Sequence, residues 1–119
     1  MTSTVELPDF EDIFKLVEEI GKLNKAKSVL ELEISFTEAD TAMTVMNNPE
    51  FYLDGKKPSM EYVKNTYLIT GLNNELLGKR RELVELETSL NTKRLKLDMY
   101  KYLIEIWRTQ SANERNAIV

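Results

Sequence analysis

A heptad repeat in the second half of the chain constrains its fold more than any other feature. Apolar residues recur every seven positions from Ile69 to Ile104, and a second core-phase series is interleaved with them. This spacing predicts a long helix that packs as a coiled coil. The two series are Ile69, Leu76, Leu83, Leu90, Leu97 and Ile104, and Leu72, Lys79, Leu86, Lys93, Tyr100 and Trp107.

The predicted long helix spans about residues 59–113. Ser59 follows Pro58 and can cap the first amides of a helix, and no proline occurs after it. Gly71 and Gly78 lie within this span. Each either permits close approach of another helix or is a weak point that costs roughly 1 kcal/mol relative to alanine.

A shorter helix is predicted over about residues 9–47. Asp9 can begin it, and Pro49 ends it because proline cannot donate a backbone hydrogen bond. The apolar seam of this helix is predicted to shift in phase after Ile34. The seam comprises Ile13, Leu16, Ile20, Leu23, Leu30 and Ile34, and after the shift Ala39, Met43 and Met46.

The two helices predict an all-α fold, a long antiparallel helical hairpin or coiled coil joined by a loop over residues 48–58. A chain of 119 residues with 42% apolar content is expected to form a single helical domain over residues 1–119. Its predicted tails are residues 1–8 and 114–119.

The hairpin is not expected to bury all of its apolar residues by itself. If the chain reverses near Leu53 and Asp54, helix one reaches only to about residue 97 of helix two. The segment 95–107 is apolar on nearly every face, which a helix tolerates only when it is covered on all sides. We therefore predict a homo-oligomer formed through the C-terminal helix. The interface residues are Leu95, Leu97, Met99, Tyr100, Leu103, Ile104 and Trp107.

A monomeric bundle is the alternative to this assembly. It requires helix one to bend near Phe36 and helix two to break near Gly71 or Gly78. The helices would then pack around Trp107.

The absence of histidine and cysteine argues against catalysis. These residues supply the commonest general base, metal ligand and nucleophile of enzymes. We predict that the protein is not an enzyme and has no catalytic residues, cofactor or metal site. The lack of cysteine and of a long apolar segment favours a cytoplasmic protein without a membrane span, in the host cytoplasm if the protein is phage-encoded.

Charge is distributed unevenly along the chain. Residues 1–55 hold 12 acidic and 4 basic side chains, and residues 56–119 hold 8 acidic and 12 basic ones. Basic side chains beside aromatic rings are typical of single-stranded nucleic-acid binding, although a solvated coiled-coil surface has a similar composition. The candidate DNA-binding residues are Lys56, Lys57, Phe51, Tyr52, Lys79, Arg80 and Arg81.

Short motifs follow one another in a recognisable order over about residues 25–118. They are an N-terminal helix, Phe51-Tyr52 before a glycine loop, Ser59-Met60-Glu61-Tyr62, and an aromatic-rich segment ending Trp107-Arg108-Thr109-Gln110-Ser111-Ala112. This order resembles the UvsY family of bacteriophage recombination mediators. The resemblance implies a closed ring of subunits that binds single-stranded DNA and helps a RecA-like recombinase replace a single-strand-binding protein.

One departure from that family concerns charge. The family tends to carry basic residues at the end of the helix before the aromatic loop, where this chain has residues 42–47 without a basic side chain. In this chain Lys56 and Lys57 would have to supply the positive charge that the family places at the end of that helix. The leading hypothesis is therefore an oligomeric recombination mediator, and the alternative is a structural or scaffold coiled coil of a phage or other large assembly with protein partners only.

Overall fold

A computed structural model describes residues 6–118 of the protein. These residues form three α-helices, α1 (Phe10–Asn47), α2 (Met60–Thr66) and α3 (Glu75–Ile118), and one short 3-10 turn at Pro49–Phe51. Within the described range no strand is present beyond an isolated bridge between Leu53 and Lys56. The all-α class is confirmed and is consistent with a helical hairpin.

The predicted tails fall partly beyond these bounds. Residues 1–5 and residue 119 lie outside the described residues. The C-terminal tail predicted from residue 114 is wrong for its described part, because α3 continues to Ile118. No proline or positive-φ residue interrupts this stretch of α3.

The chain divides into two compact units. One, the terminal unit, contains the residues up to Asn24 and those from Thr88 onward, and the other, the central unit, is Lys25–Glu87. In the central unit α1 and α3 run antiparallel, since Lys27 pairs with Glu87 at 3.7 Å and Glu33 pairs with Lys79 at 3.2 Å. The core of this unit joins both helices. It contains Leu30, Ile34 and Leu76, with Leu83 and Leu86 packed against them.

The ends of α1 follow local chemistry. The Asp9 side chain accepts a hydrogen bond from the Glu11 amide at 3.0 Å, as an N-terminal cap does. At the other end Asn48 accepts from the Glu50 amide at 3.1 Å and so starts the 3-10 turn at Pro49. The helix therefore begins within one residue of the predicted position and ends at residue 47 as predicted.

The predicted phase shift after Ile34 is wrong. The buried positions farther along α1 are Thr41 and Val45, whereas Ala39 and Met43 are exposed. Thr41 lies seven residues after Ile34, so the original heptad continues and a threonine occupies a core position. The exposed apolar residues that suggested a shift lie on a different face of the helix.

The continuous helix predicted over 59–113 is also wrong. α2 ends at Thr66 and α3 begins at Glu75, and residues 67–74 form hydrogen-bonded turns between them. Gly71 has φ +82°, which is incompatible with a right-handed helix, and the Glu75 carboxylate accepts from the amides of Leu72 and Asn73. The break occurs at one of the two glycines that the sequence marks as weak points.

The break changes the predicted register of the hairpin. In the terminal unit Lys93 donates to Glu19 at 2.7 Å and Arg94 donates to Asn24 at 2.9 Å. An antiparallel count from the Glu19–Lys93 pair places residue 10 beside about residue 102. The expectation that helix one reaches only to residue 97 is therefore wrong, because the reversal uses α2 and its turns as well as the loop.

Candidate DNA-binding and assembly surfaces

The Asp54-Gly55 turn places two of the predicted DNA-binding lysines at an exposed tip. Leu53 and Lys56 exchange two backbone hydrogen bonds, both 2.9 Å long, and the two residues between them have φ of 52° and 76°. Two successive positive φ values define the tight two-residue turns that Asp-Gly favours. Lys56 and Lys57 are exposed, and Pro58 directly after them is buried.

The two predicted aromatic residues that precede these lysines, Phe51 and Tyr52, differ in their ring contacts. The Phe51 ring packs edge-on against Tyr67, with centroids 5.5 Å apart, and Tyr67 in turn contacts Tyr62 at 6.3 Å. This row of rings ties the 3-10 turn to α2. Tyr52 is half-buried and makes no ring contact within the described part of the chain. Both predicted rings are half-buried, and of the two only Phe51 is engaged in ring packing in the described part of the chain.

The second predicted basic cluster is largely neutralised by α1. Lys79 pairs with Glu33 at 3.2 Å, and Arg80 forms an ion pair with Glu38. The other arm of Arg80 donates to the Ile69 carbonyl at 2.8 Å, so this side chain holds the turn after α2 against α1. Of the three predicted cations, only Arg81 is exposed and makes no ion pair with another described residue. These pairings depend on the register of α1 and α3, which the sequence pattern does not reveal.

The predicted interface residues of α3 remain partly uncovered. Leu95, Met99 and Trp107 are exposed, whereas Leu97, Tyr100, Leu103 and Ile104 are half-buried. Tyr102, which the prediction omits, is 70% exposed. Three exposed residues and half-buried Ile106 follow one another at steps of three or four along one side of the helix, and we name them the outer α3 face. It comprises Leu95, Met99, Tyr102 and Ile106.

A matching surface on α1 was not predicted from the sequence. Phe14 is 71% exposed and lies two residues from buried Leu16, which places it about 160° around the helix. Phe14 belongs to a second series of apolar residues on this helix, spaced at i, i+3, i+7 and i+10. The spacing is visible in the sequence, but only one apolar seam was expected. We name the series, which begins just before the helix, the outer α1 face. It comprises Leu7, Phe10, Phe14 and Val17.

Two carboxylates of the structure have lowered pKa values. The Lys93 ammonium, which donates to Glu19 and lies close to it, lowers the pKa of that carboxyl. The Asn73 amide, followed by the amides of Glu75 itself and of Leu72, lowers the pKa of the Glu75 carboxyl. Both groups therefore act as structural carboxylates, one between helices and one at the start of α3.

The Glu75 cap gives the stability a pH dependence that a substitution can isolate. Its folded-state pKa lies below the ordinary value of 4.5, so its contribution is present above that value and is lost as the pH falls through the lowered pKa. We expect Glu75→Gln to lower the urea midpoint at neutral pH, with a difference from wild type that shrinks below pH 4.5. Glu19 titrates in both proteins and cancels in this difference. A difference that grows on acidification would contradict the capping role.

Metal-binding clusters and membrane-spanning helices are both absent from the described chain. Among residues 6–118 no group of three or more acidic side chains is placed to hold a metal ion. No helix in this range is long and apolar enough to cross a membrane.

Comparison with known protein families, with curated proteins and with solved structures finds no match to this chain. The resemblance to recombination mediators therefore rests on the motifs alone.

Proposed function

We propose that the protein is an oligomeric, non-enzymatic single-stranded-DNA-binding recombination mediator, which helps to load a RecA-like recombinase in place of a single-strand-binding protein. The observation that carries the DNA-binding part is the exposed Lys56-Lys57 pair on a hydrogen-bonded turn beside Tyr52. The recombinase and the single-strand-binding protein enter through the family resemblance.

The turn has the chemistry that a single strand requires. Lysines neutralise backbone phosphates and release counterions, which dominates the affinity of most nucleic-acid complexes. A neighbouring ring can stack on a base of any sequence. The two backbone hydrogen bonds between Leu53 and Lys56 fix the backbone of the turn, so little backbone entropy is lost when the lysines bind.

A single turn offers only two cations, and this limits the affinity of one chain. Lys79 and Arg80 add little, because Glu33 and Glu38 already pair with them. An assembly would repeat the turn in every copy and convert weak binding at each turn into avid binding. The proposed DNA binding therefore depends on oligomerisation.

The test is fluorescence anisotropy with a labelled single-stranded oligothymidylate over a range of salt. We expect wild-type binding at low salt, and about tenfold weaker binding for the variant with Lys56→Ala and Lys57→Ala. The slope of log affinity against log salt should fall by about 0.7 for each phosphate that the variant no longer neutralises. The matched control is Lys25→Ala with Lys64→Ala, which removes the same charge from exposed positions of the central unit, away from the predicted assembly segment 95–107.

The outcomes separate a local effect from a general effect of charge. An equal loss of affinity in the control would remove the turn as the binding site. No binding by the wild type at low salt would contradict the proposed function and favour the second candidate, a scaffold coiled coil with protein partners only. The ion pairing of Lys79 and Arg80 with α1 favours that candidate, because it leaves fewer cations for an anionic partner.

A further inference from the structure

The interruption between α2 and α3 leaves two apolar residues exposed at positions where the heptad repeat would place core residues. Ile69 and Leu72 precede Leu76 by seven and four residues, so they would lie on the same side as Leu76 if α3 extended through the interruption. Leu76 is fully buried, whereas Ile69 is 56% exposed and Leu72 is 36% exposed. The sequence therefore keeps the repeat across a break that prevents its use.

The matching positions for these two residues lie on α1. Antiparallel counts from the two ion pairs that set the register of the central unit place Thr41 within one residue of Leu72 along a helix continued through the break. The same counts place Val45 within two residues of Ile69. Thr41 and Val45 are buried in the structure while Ile69 and Leu72 are exposed, so other side chains now cover them. Two sets of residues can thus compete for one part of α1.

The turns between α2 and α3 contain backbone conformations that a continuous helix would replace. Gly71 has φ +82° and Asn74 has φ +61°, and neither value lies in the right-handed helical region. A residue with a side chain pays for a left-handed conformation, although asparagine tolerates it better than most. The Thr70 carbonyl accepts from the amides of Leu76 and Leu77 at 3.0 and 3.2 Å, whereas helical bonds join residues four apart.

The interrupted form is held by contacts that a continuous helix would lose. The Glu75 carboxylate caps two amides of the turn, and Arg80 donates to the Ile69 carbonyl at 2.8 Å. Val63 of α2 is fully buried. Because Val63 precedes Leu76 by thirteen residues, it would lie about 140° from Leu76 around a continuous helix and would leave the core. Straightening therefore exchanges one buried side chain for the two that are now exposed.

We infer that residues 67–74 form a hinge with two arrangements. One is the interrupted form of the structure, and the other is a continuous helix in which the two exposed apolar side chains pack on α1 at Thr41 and Val45. The interrupted form is the more populated, since the glycine and asparagines of the hinge favour turns. The inference goes beyond the proposed function and does not depend on DNA binding. Because α2 begins three residues after Lys57, conversion of the hinge would move the lysine turn relative to α1.

Two substitutions penalise the interrupted form alone. Gly71→Ala places a β-carbon 2.7 Å from the Glu75 Cδ atom, at a φ that alanine rarely adopts. Glu75→Gln removes the charge that strengthens the two cap bonds. A continuous helix accepts both new residues, because alanine and glutamine are good helix formers. The matched control adds Ile69→Asn and Leu72→Asn to Gly71→Ala, since both side chains are exposed in the interrupted form and would be buried in the continuous one.

Nuclear magnetic resonance of the full chain distinguishes the two arrangements. In Gly71→Ala we expect helical Cα chemical shifts throughout residues 67–74, and nuclear Overhauser contacts from Leu72 to Thr41 and from Ile69 to Val45. Glu75→Gln should show the same signals for a smaller population. The wild type should show turn-like shifts, with relaxation dispersion at the hinge from exchange on the microsecond-to-millisecond timescale. The control should keep the turn-like shifts and lack the contacts.

The other outcomes overturn the inference. Turn-like shifts over residues 67–74 in both Gly71→Ala and Glu75→Gln would show that no second arrangement is within reach, and so would a general loss of helical shifts from α1 and α3. Helical shifts without the contacts to α1, or helical shifts that persist in the control, would show that burial of Ile69 and Leu72 does not drive the conversion. Oligothymidylate binding tests the proposed function separately and is not decided by any of these results.

Discussion

Replacing Leu76 with alanine is expected to lower the free energy of unfolding by about 2–5 kcal/mol. Leu76 is 0% exposed and packs in the core with Leu30 and Ile34 of α1. Truncation removes buried methyl groups and leaves a cavity, and both effects cost free energy in a packed core. Leu76 is also the second residue of α3, so the substitution weakens the attachment of this helix to α1 just after the break. Urea unfolding followed by circular dichroism measures the change.

Leu32→Ala is the matched control for Leu76→Ala. It removes the same atoms from α1 in the same unit, but Leu32 is 71% exposed. Its effect should stay within about 0.5 kcal/mol, because surface changes are small and alanine favours helix. Both variants must be compared at one protein concentration, since assembly adds to apparent stability. Equal losses in the two variants would contradict the burial pattern.

Local signals in the sequence predicted much of the fold. Asp9 and Pro49 set the ends of α1 because capping and the missing proline amide act on the nearest residues, whatever the tertiary structure. The Asp-Gly pair likewise marked the exposed turn before Lys56. The heptads identified the buried residues Leu30, Leu76 and Leu90.

The sequence-based prediction failed where local backbone conformation and capping overrode the heptad repeat. Ile69 and Leu72 keep the heptad phase, yet both are exposed, because the positive φ of Gly71 and the Glu75 carboxylate interrupt the helix between α2 and α3. Thr41 was overlooked as a core residue because its hydroxyl lowers its apolarity, although its methyl group suits a buried helix position. A count of apolar residues detects neither effect.

The sequence allowed only part of the candidate site to be predicted, and the reason is related. The exposure of Lys56 and Lys57 follows from the turn itself. The neutralisation of Lys79 and Arg80 depends on which α1 carboxylates they meet, and that depends on the register of the hairpin. An error of a few residues in the length of the reversal moves every pairing along both helices.

The geometry at Gly71 leads to a second strong effect on stability. Gly71→Ala is expected to cost about 1–3 kcal/mol, because φ +82° is a conformation that residues with a side chain rarely adopt. A β-carbon at this position would also lie 2.7 Å from the Glu75 Cδ atom. The new methyl group would therefore push the carboxylate away from the amides of Leu72 and Asn73 that it caps.

Gly78→Ala separates this strain from the general effect of removing a glycine. Gly78 lies inside α3 without a positive φ, and a β-carbon added there would meet nothing within 4 Å. Alanine there should raise stability by roughly 1 kcal/mol, opposite in sign to Gly71→Ala. Adding Glu75→Ala to Gly71→Ala removes the clash, so the double variant should lose less than the sum of the single losses. Equal signs for the two glycine variants in urea unfolding would contradict the turn geometry, and strict additivity would show that Glu75 and position 71 do not interact.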